Sequence, residues 1–89
     1  MPKVIVTAQV EDGVRWEAGF RSHDELRRKY ALKAPSEYSV SGNEIAVLMD
    51  PIDLDKFKQE MESPETAAAM AFDGVKRETV KMFVLDKSV

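Results

Sequence analysis

Tyr38-Ser39-Val40-Ser41-Gly42-Asn43-Glu44-Ile45-Ala46-Val47-Leu48-Met49 is the stretch that decides the fold. Ser41-Gly42-Asn43-Glu44 reads as a turn, because Gly and Asn accept positive φ at little cost. Tyr38 and Val40 lead in. Ile45, Val47 and Met49 alternate with Ala46 and Leu48 on the way out, so the outgoing strand is apolar on both sides, as in a strand covered on both faces. Before this hairpin, Val4, Val6, Ala8 and Val10 fall on one side of an alternating stretch and Ile5, Thr7 and Gln9 on the other. After it, Val80, Met82 and Val84 alternate with Thr79, Lys81, Phe83 and Leu85. A helical pattern fills each interval. The order is strand–helix–strand–strand–helix–strand, which predicts an α+β fold: a four-stranded antiparallel sheet with helices on one face, because the crossovers are right-handed.

The helical intervals carry their own punctuation. Asp12-Gly13 ends the first strand, and Asp12 is placed to cap a helix. Trp16 and Phe20, at i and i+4, share a face of it. Ser22-His23-Asp24-Glu25 matches a capping box, so the spacing predicts a break near Arg21–Ser22 and a second piece from His23 to about Tyr30, with Leu26 and Tyr30 inward. In the later interval Asp50-Pro51-Ile52-Asp53 closes the hairpin, and Asp53 caps a helix with Leu54, Phe57 and Met61 in one stripe. Ser63-Pro64-Glu65 is a fresh start signal, residues 66–72 are rich in alanine, and Gly74 stands where a left-handed C-terminal residue is wanted.

Residues 1–89 are expected to form a single domain. Apolar content of 44% and charged content of 33% exclude disorder. No apolar run approaches the roughly 18 residues that span a bilayer, so no membrane partner is expected. The first residues run straight into a strand without the regions of a signal peptide, and with no cysteine a cytoplasmic location is the expectation. Net charge is −3, and the one basic cluster, Arg27-Arg28-Lys29, reads as a solvated helix surface, so no nucleic-acid partner is expected.

Helices on one face leave the other side of the sheet open. That side would carry some of Ile5, Ile45, Val47, Met49, Phe83 and Leu85, depending on register. Exposed apolar area costs about 25 cal/mol per Å², and monomers rarely leave a contiguous patch beyond a few hundred Å² wet. The expectation is a homodimer paired through the open sheet face.

Val10-Glu11-Asp12 followed by Trp16 and Phe20, then His23, Leu26 and Arg27, then Glu62-Ser63-Pro64-Glu65, Met70 and Gly74-Val75 resemble the strand exit, broken first helix and paired later helices of a known group. On these residues the chain resembles the ferredoxin-like dimeric α/β-barrel superfamily, in its branch of small antibiotic-biosynthesis-monooxygenase-like proteins. The resemblance implies a homodimeric barrel whose subunits keep a pocket between helices and sheet. Activities in the superfamily include cofactor-free oxygenation of polyphenols, haem degradation, lactone isomerisation and dehydration. Haem-degrading relatives converge an asparagine, a tryptophan and a histidine on one pocket. Here Asn43, the sole Asn, is already committed to the turn, so no haem site is carried over and no cofactor is expected.

His23 is the first catalytic candidate, since an imidazole can act as acid or base near neutrality. On a regular helix it lies about 20° from Trp16 and about 60° from Phe20; the alternative is local hydrogen bonding in the first turn of a capped helix. Arg27 is the second, either holding an anionic or enolate oxygen or pairing with a nearby acid. Trp16, Phe20, Tyr30, Phe57, Met61 and Met70, with Phe72, form either the wall of a pocket for a planar ligand or simply the helix–sheet core. One histidine and no cysteine give no metal site, and the dispersed glycines give no nucleotide loop. Three readings follow: a homodimeric barrel binding a small apolar or aromatic molecule between helices and sheet; a cofactor-free monooxygenase or isomerase acting on a polyketide-like or phenolic substrate, with His23 as base and Arg27 as oxyanion partner; and an interaction module without a ligand.

Overall fold

The computed structural model describes residues 2–23, 28–33 and 35–89. Strand β1 (Lys3–Val10) leads into helix α1 (Gly13–Ser22). The hairpin β2 (Glu37–Ser41) and β3 (Glu44–Met49) follows, then helices α2 (Leu54–Met61) and α3 (Pro64–Phe72), then β4 (Val75–Leu85). All neighbours in the sheet are antiparallel and the strand order is β2-β3-β1-β4, a ferredoxin-like βαββαβ arrangement.

Each helix begins where its cap residue directs. Asp12 Oδ1 accepts from the amides of Val14 (2.9 Å) and Arg15 (3.3 Å). Asp53 Oδ1 accepts from Lys56 N at 3.1 Å, and Ser63 Oγ from Thr66 N at 3.2 Å, with Pro64 opening α3. These bonds satisfy amides that have no partner within the helix. Gly74, at φ +77°, lets the chain leave α3 and enter β4. In the hairpin only Gly42 uses positive φ, at +59°, and Asn43 does not need it. Ser22 is the last residue of α1, and its hydroxyl donates to the Gly19 carbonyl at 2.6 Å. Glu25, the other half of the expected capping box, and Leu26 lie outside the described residues.

The register decides which side chains face the helices. Val4 pairs with Met49 and Val84, Val6 with Val47 and Met82, and Ala8 with Ile45. Val4, Val6, Ala8, Val10, Ile45, Val47 and Met49 are all buried, with Trp16, Tyr30 and Phe57 above them. Ile45, Val47 and Met49, which the sequence left free to lie on either side, therefore belong to the helix-covered face. The open face carries Ile5 beside Leu48 and Phe83, and Leu85 beside Lys3. It is apolar at that end only: Thr7, Gln9, Ser39, Ser41, Glu44 and Lys81 occupy the other half.

Strand β4 is interrupted. Thr7 pairs with Lys81, but Gln9 pairs with Lys76, so residues 77–80 bulge opposite Ala8. Thr79 Oγ stitches the gap, accepting from Gln9 N at 2.8 Å and donating to the Lys76 carbonyl at 2.6 Å. Among the described residues no helix is long and apolar enough to cross a membrane.

Candidate functional site

The helices do not fill the space above the sheet completely. A cavity of about 80 Å³ lies between them and opens to solvent on one side. That is smaller than the roughly 300–1,000 Å³ of typical small-molecule sites, but Met61 and Met70 in its lining are unbranched side chains that repack readily. Val6, Ala8, Ile45 and Val47 form its floor. Trp16 and Phe20 stack on one wall, rings 4.8 Å apart and 15° from parallel, and Tyr38 closes edge-on against both from outside. Met61 and Met70 form the opposite wall.

Of the residues singled out from the sequence, Trp16, Phe20, His23, Tyr30, Met61 and Met70 meet around this one cavity. Phe57 does not reach it. It is wholly buried beneath, with its ring edge-on to Tyr30 at 5.6 Å. Phe72 is 71% exposed, because α3 turns Thr66, Ala69, Met70 and Asp73 inward and puts Phe72 on the far side. Arg27 lies outside the described residues.

Two polar clusters touch the cavity, and their chemistry differs. The first is self-contained. Thr66 Oγ donates to the Glu60 carbonyl at 2.7 Å, which uses its only proton. Tyr30 Oη, 3.0 Å away, and Ser63 Oγ, at 3.1 Å, must then donate to Thr66 Oγ. This network ties Tyr30 to the start of α3, and the Lys29–Glu65 ion pair reinforces the same junction.

The second cluster is unspent. Asp73, at the C-terminal end of α3, is only 4% exposed. His23, at the C-terminal end of α1, approaches it with Nε2 3.0 Å from Oδ2. The contact is an ion-pair distance but not a hydrogen bond, and neither buried His23 Nε2 nor Asp73 Oδ1 makes a hydrogen bond to a described group. His23 is the more exposed of the two and stands on the solvent side. Gly19 makes the approach possible: a Cβ there would fall 2.0 Å from Asp73 Oδ1. Asp73, Thr66 and Gly19 were not singled out from the sequence. The available signal was spacing, since Thr66, Met70 and Asp73 sit at i, i+4 and i+7 on one helical face.

Outside the wall, Tyr38 Oη donates to Glu17 Oε2 at 2.8 Å, and that bond to a carboxylate holds the phenol above its ordinary pKa of 10.0. Among the described residues no group of three or more His, Asp or Glu side chains is placed to hold a metal ion.

No protein-family model matches the chain, and no curated protein matches its sequence. Solved structures do match its fold over its whole length. A crystal structure of an antibiotic biosynthesis monooxygenase aligns with a TM-score of 0.70 and 11% identity, covering all of both chains. A second, from Bordetella bronchiseptica and of the same description, gives 0.71 and 13%, covering 99% of this chain and 97% of that one. SnoaB, a cofactor-independent oxygenase from Streptomyces nogalater, gives 0.65 and 12% over 99% and 95%. The fold that the register builds is thus the ferredoxin-like fold of the antibiotic-biosynthesis-monooxygenase structures.

Proposed function

We propose that the protein binds a small planar aromatic molecule bearing a hydroxyl group in the cavity between helices and sheet. The observation that carries this reading is the His23–Asp73 pair, in which neither Nε2 nor Oδ1 makes a hydrogen bond to a described group, in a mostly apolar recess. Buried polar atoms are nearly always satisfied. A ligand hydroxyl that donates to Asp73 Oδ1 and accepts from His23 satisfies both, while its ring lies against Trp16, Phe20 and the methionines. The test is binding of 2-naphthol, followed by the NMR shift of the Trp16 indole proton, with naphthalene as the comparison. The hydroxyl is expected to strengthen binding at least tenfold, and Asp73→Asn to remove most of that gain. Equal binding of the two probes, or binding of neither, overturns the reading.

A second reading, cofactor-independent oxygenation of a phenolic substrate, is favoured by the same pair together with the likeness to SnoaB. The His23–Asp73 pair takes the proton of a hydroquinone hydroxyl. The ring carbon beside the phenolate then bonds to molecular oxygen, the oxidant. The resulting hydroperoxide loses water and leaves a new carbonyl, so one hydroquinone and one O₂ give one hydroxyquinone and one water. Oxygen uptake with 1,4-dihydroxynaphthalene, abolished in His23→Ala, supports this. Uptake no faster than in buffer refutes it and leaves the binding reading standing.

The assembly we propose is a homodimer paired through the open sheet face, supported by the Ile5–Leu48–Phe83 row and Leu85. Phe83 is 51% and Leu85 47% exposed in the single chain. Light scattering is expected to give twice the 10.0 kDa chain mass, and Phe83→Glu a folded particle of one chain. A wild-type particle of one chain at micromolar concentration refutes the dimer.

A further inference from the structure

We infer that Arg77 selects ligands carrying an acidic group, by pairing with a carboxylate that extends out of the cavity through the methionine wall. This deepens the binding reading above and rests on it. Met61, Met70 and Val80 line the cavity on one side, and on the other they line a separate surface groove of about 210 Å³. The two spaces therefore adjoin at these shared side chains. Two of these are unbranched thioethers, which change rotamer readily and adapt to irregular shapes. Arg77 and Glu62 stand in the groove, with Met82 beside them.

Arg77 is there because of the bulge in β4. Residues 77–80 depart from the ladder opposite Ala8, and the departure brings Arg77 and Val80 to one groove. Bulges re-aim side chains in this way beside functional sites. No ion pair joins Arg77 to Glu62 or to any other described acid. A guanidinium offers a rigid fork suited to a carboxylate, which it engages with two parallel bonds. A ligand whose ring fills the cavity and whose hydroxyl meets His23 and Asp73 would pass a short chain between Met61 and Met70 and set its acid on Arg77. The substrate class is then a hydroxylated aromatic acid. Glu62 in the same groove disfavours a second negative charge.

The test uses 2-naphthol derivatives bearing a carboxylate through zero to three methylenes, each paired with its primary amide. In the wild type at least one carboxylate is expected to bind three- to tenfold more tightly than its amide, a preference that shrinks in 0.5 M salt. Arg77→Gln is expected to bring that ratio to one while 2-naphthol itself binds as before, and Arg77→Lys to keep part of the preference. Binding of 2-naphthol with no preference for any acid overturns the role of Arg77 and spares the cavity reading. Loss of 2-naphthol binding in Arg77→Gln also overturns it, since Arg77 would then be supporting the fold. Failure of the wild type to bind any probe brings down both.

Discussion

Gly19→Ala tests the arrangement of the site without replacing any of its polar groups. In an ordinary helix interior this exchange stabilises by roughly 0.5–1 kcal/mol, because glycine loses more freedom on folding. Here the new methyl carbon would stand 2.0 Å from Asp73 Oδ1 and 2.6 Å from its Cγ. Both distances are far inside van der Waals contact, so Asp73 must retreat by an ångström or more. Its side chain is only 6% exposed. Overpacking of this kind costs about 1–3 kcal/mol. The expected net effect is a loss of about 1 kcal/mol, readable by urea denaturation followed through the fluorescence of Trp16. In an Asp73→Ala background the obstruction is gone and the same exchange should stabilise. The cycle should therefore give a coupling of about 1–3 kcal/mol, as for residues in direct contact. Stabilisation by Gly19→Ala of equal size in both backgrounds would refute the packing of α1 against Asp73, and with it the approach of His23.

Two further outcomes follow from the polar contacts. Tyr38 should titrate above its ordinary value near 10, seen in the ultraviolet phenolate band, and Glu17→Ala should bring it down. Because the folded-state value is the higher one, this contribution to stability is whole below the unfolded value and is lost as pH climbs through the folded one. Thr66→Val keeps the shape of a buried residue and deletes its bonds to Tyr30, Ser63 and the Glu60 carbonyl, so a loss of about 1–3 kcal/mol is expected by denaturant titration.

The strands were legible because alternation is a local property. Val4 to Val10 and Val80 to Val84 show which side chains travel together, and the structure keeps those sets. Which face of β3 turns inward was not legible, since Ile45-Ala46-Val47-Leu48-Met49 is apolar on both sides. Pairing with Val4, Val6 and Ala8 settles it. The caps at Asp12, Asp53 and Ser63 were readable because they act within three residues. The aromatic wall was readable from the i, i+4 spacing of Trp16 and Phe20. Asp73 was not, because an acid beside Gly74 looks like a helix end exposed to water. Only the approach of α1, permitted by the bare backbone at Gly19, buries it. Arg77 was hidden for a related reason: a bulge breaks the alternation from which side-chain direction is inferred.

That same bulge bears on how this chain avoids polymerising. β4 is an outer strand of eleven residues, long enough to recruit a foreign strand and extend the sheet indefinitely. The ladder offers no unbroken template, because residues 77–80 step out of line. At the opposite border β2 has only five residues. A newcomer can align with a few rungs at either border but not with a whole side, which denies fibril growth the continuous seed it requires.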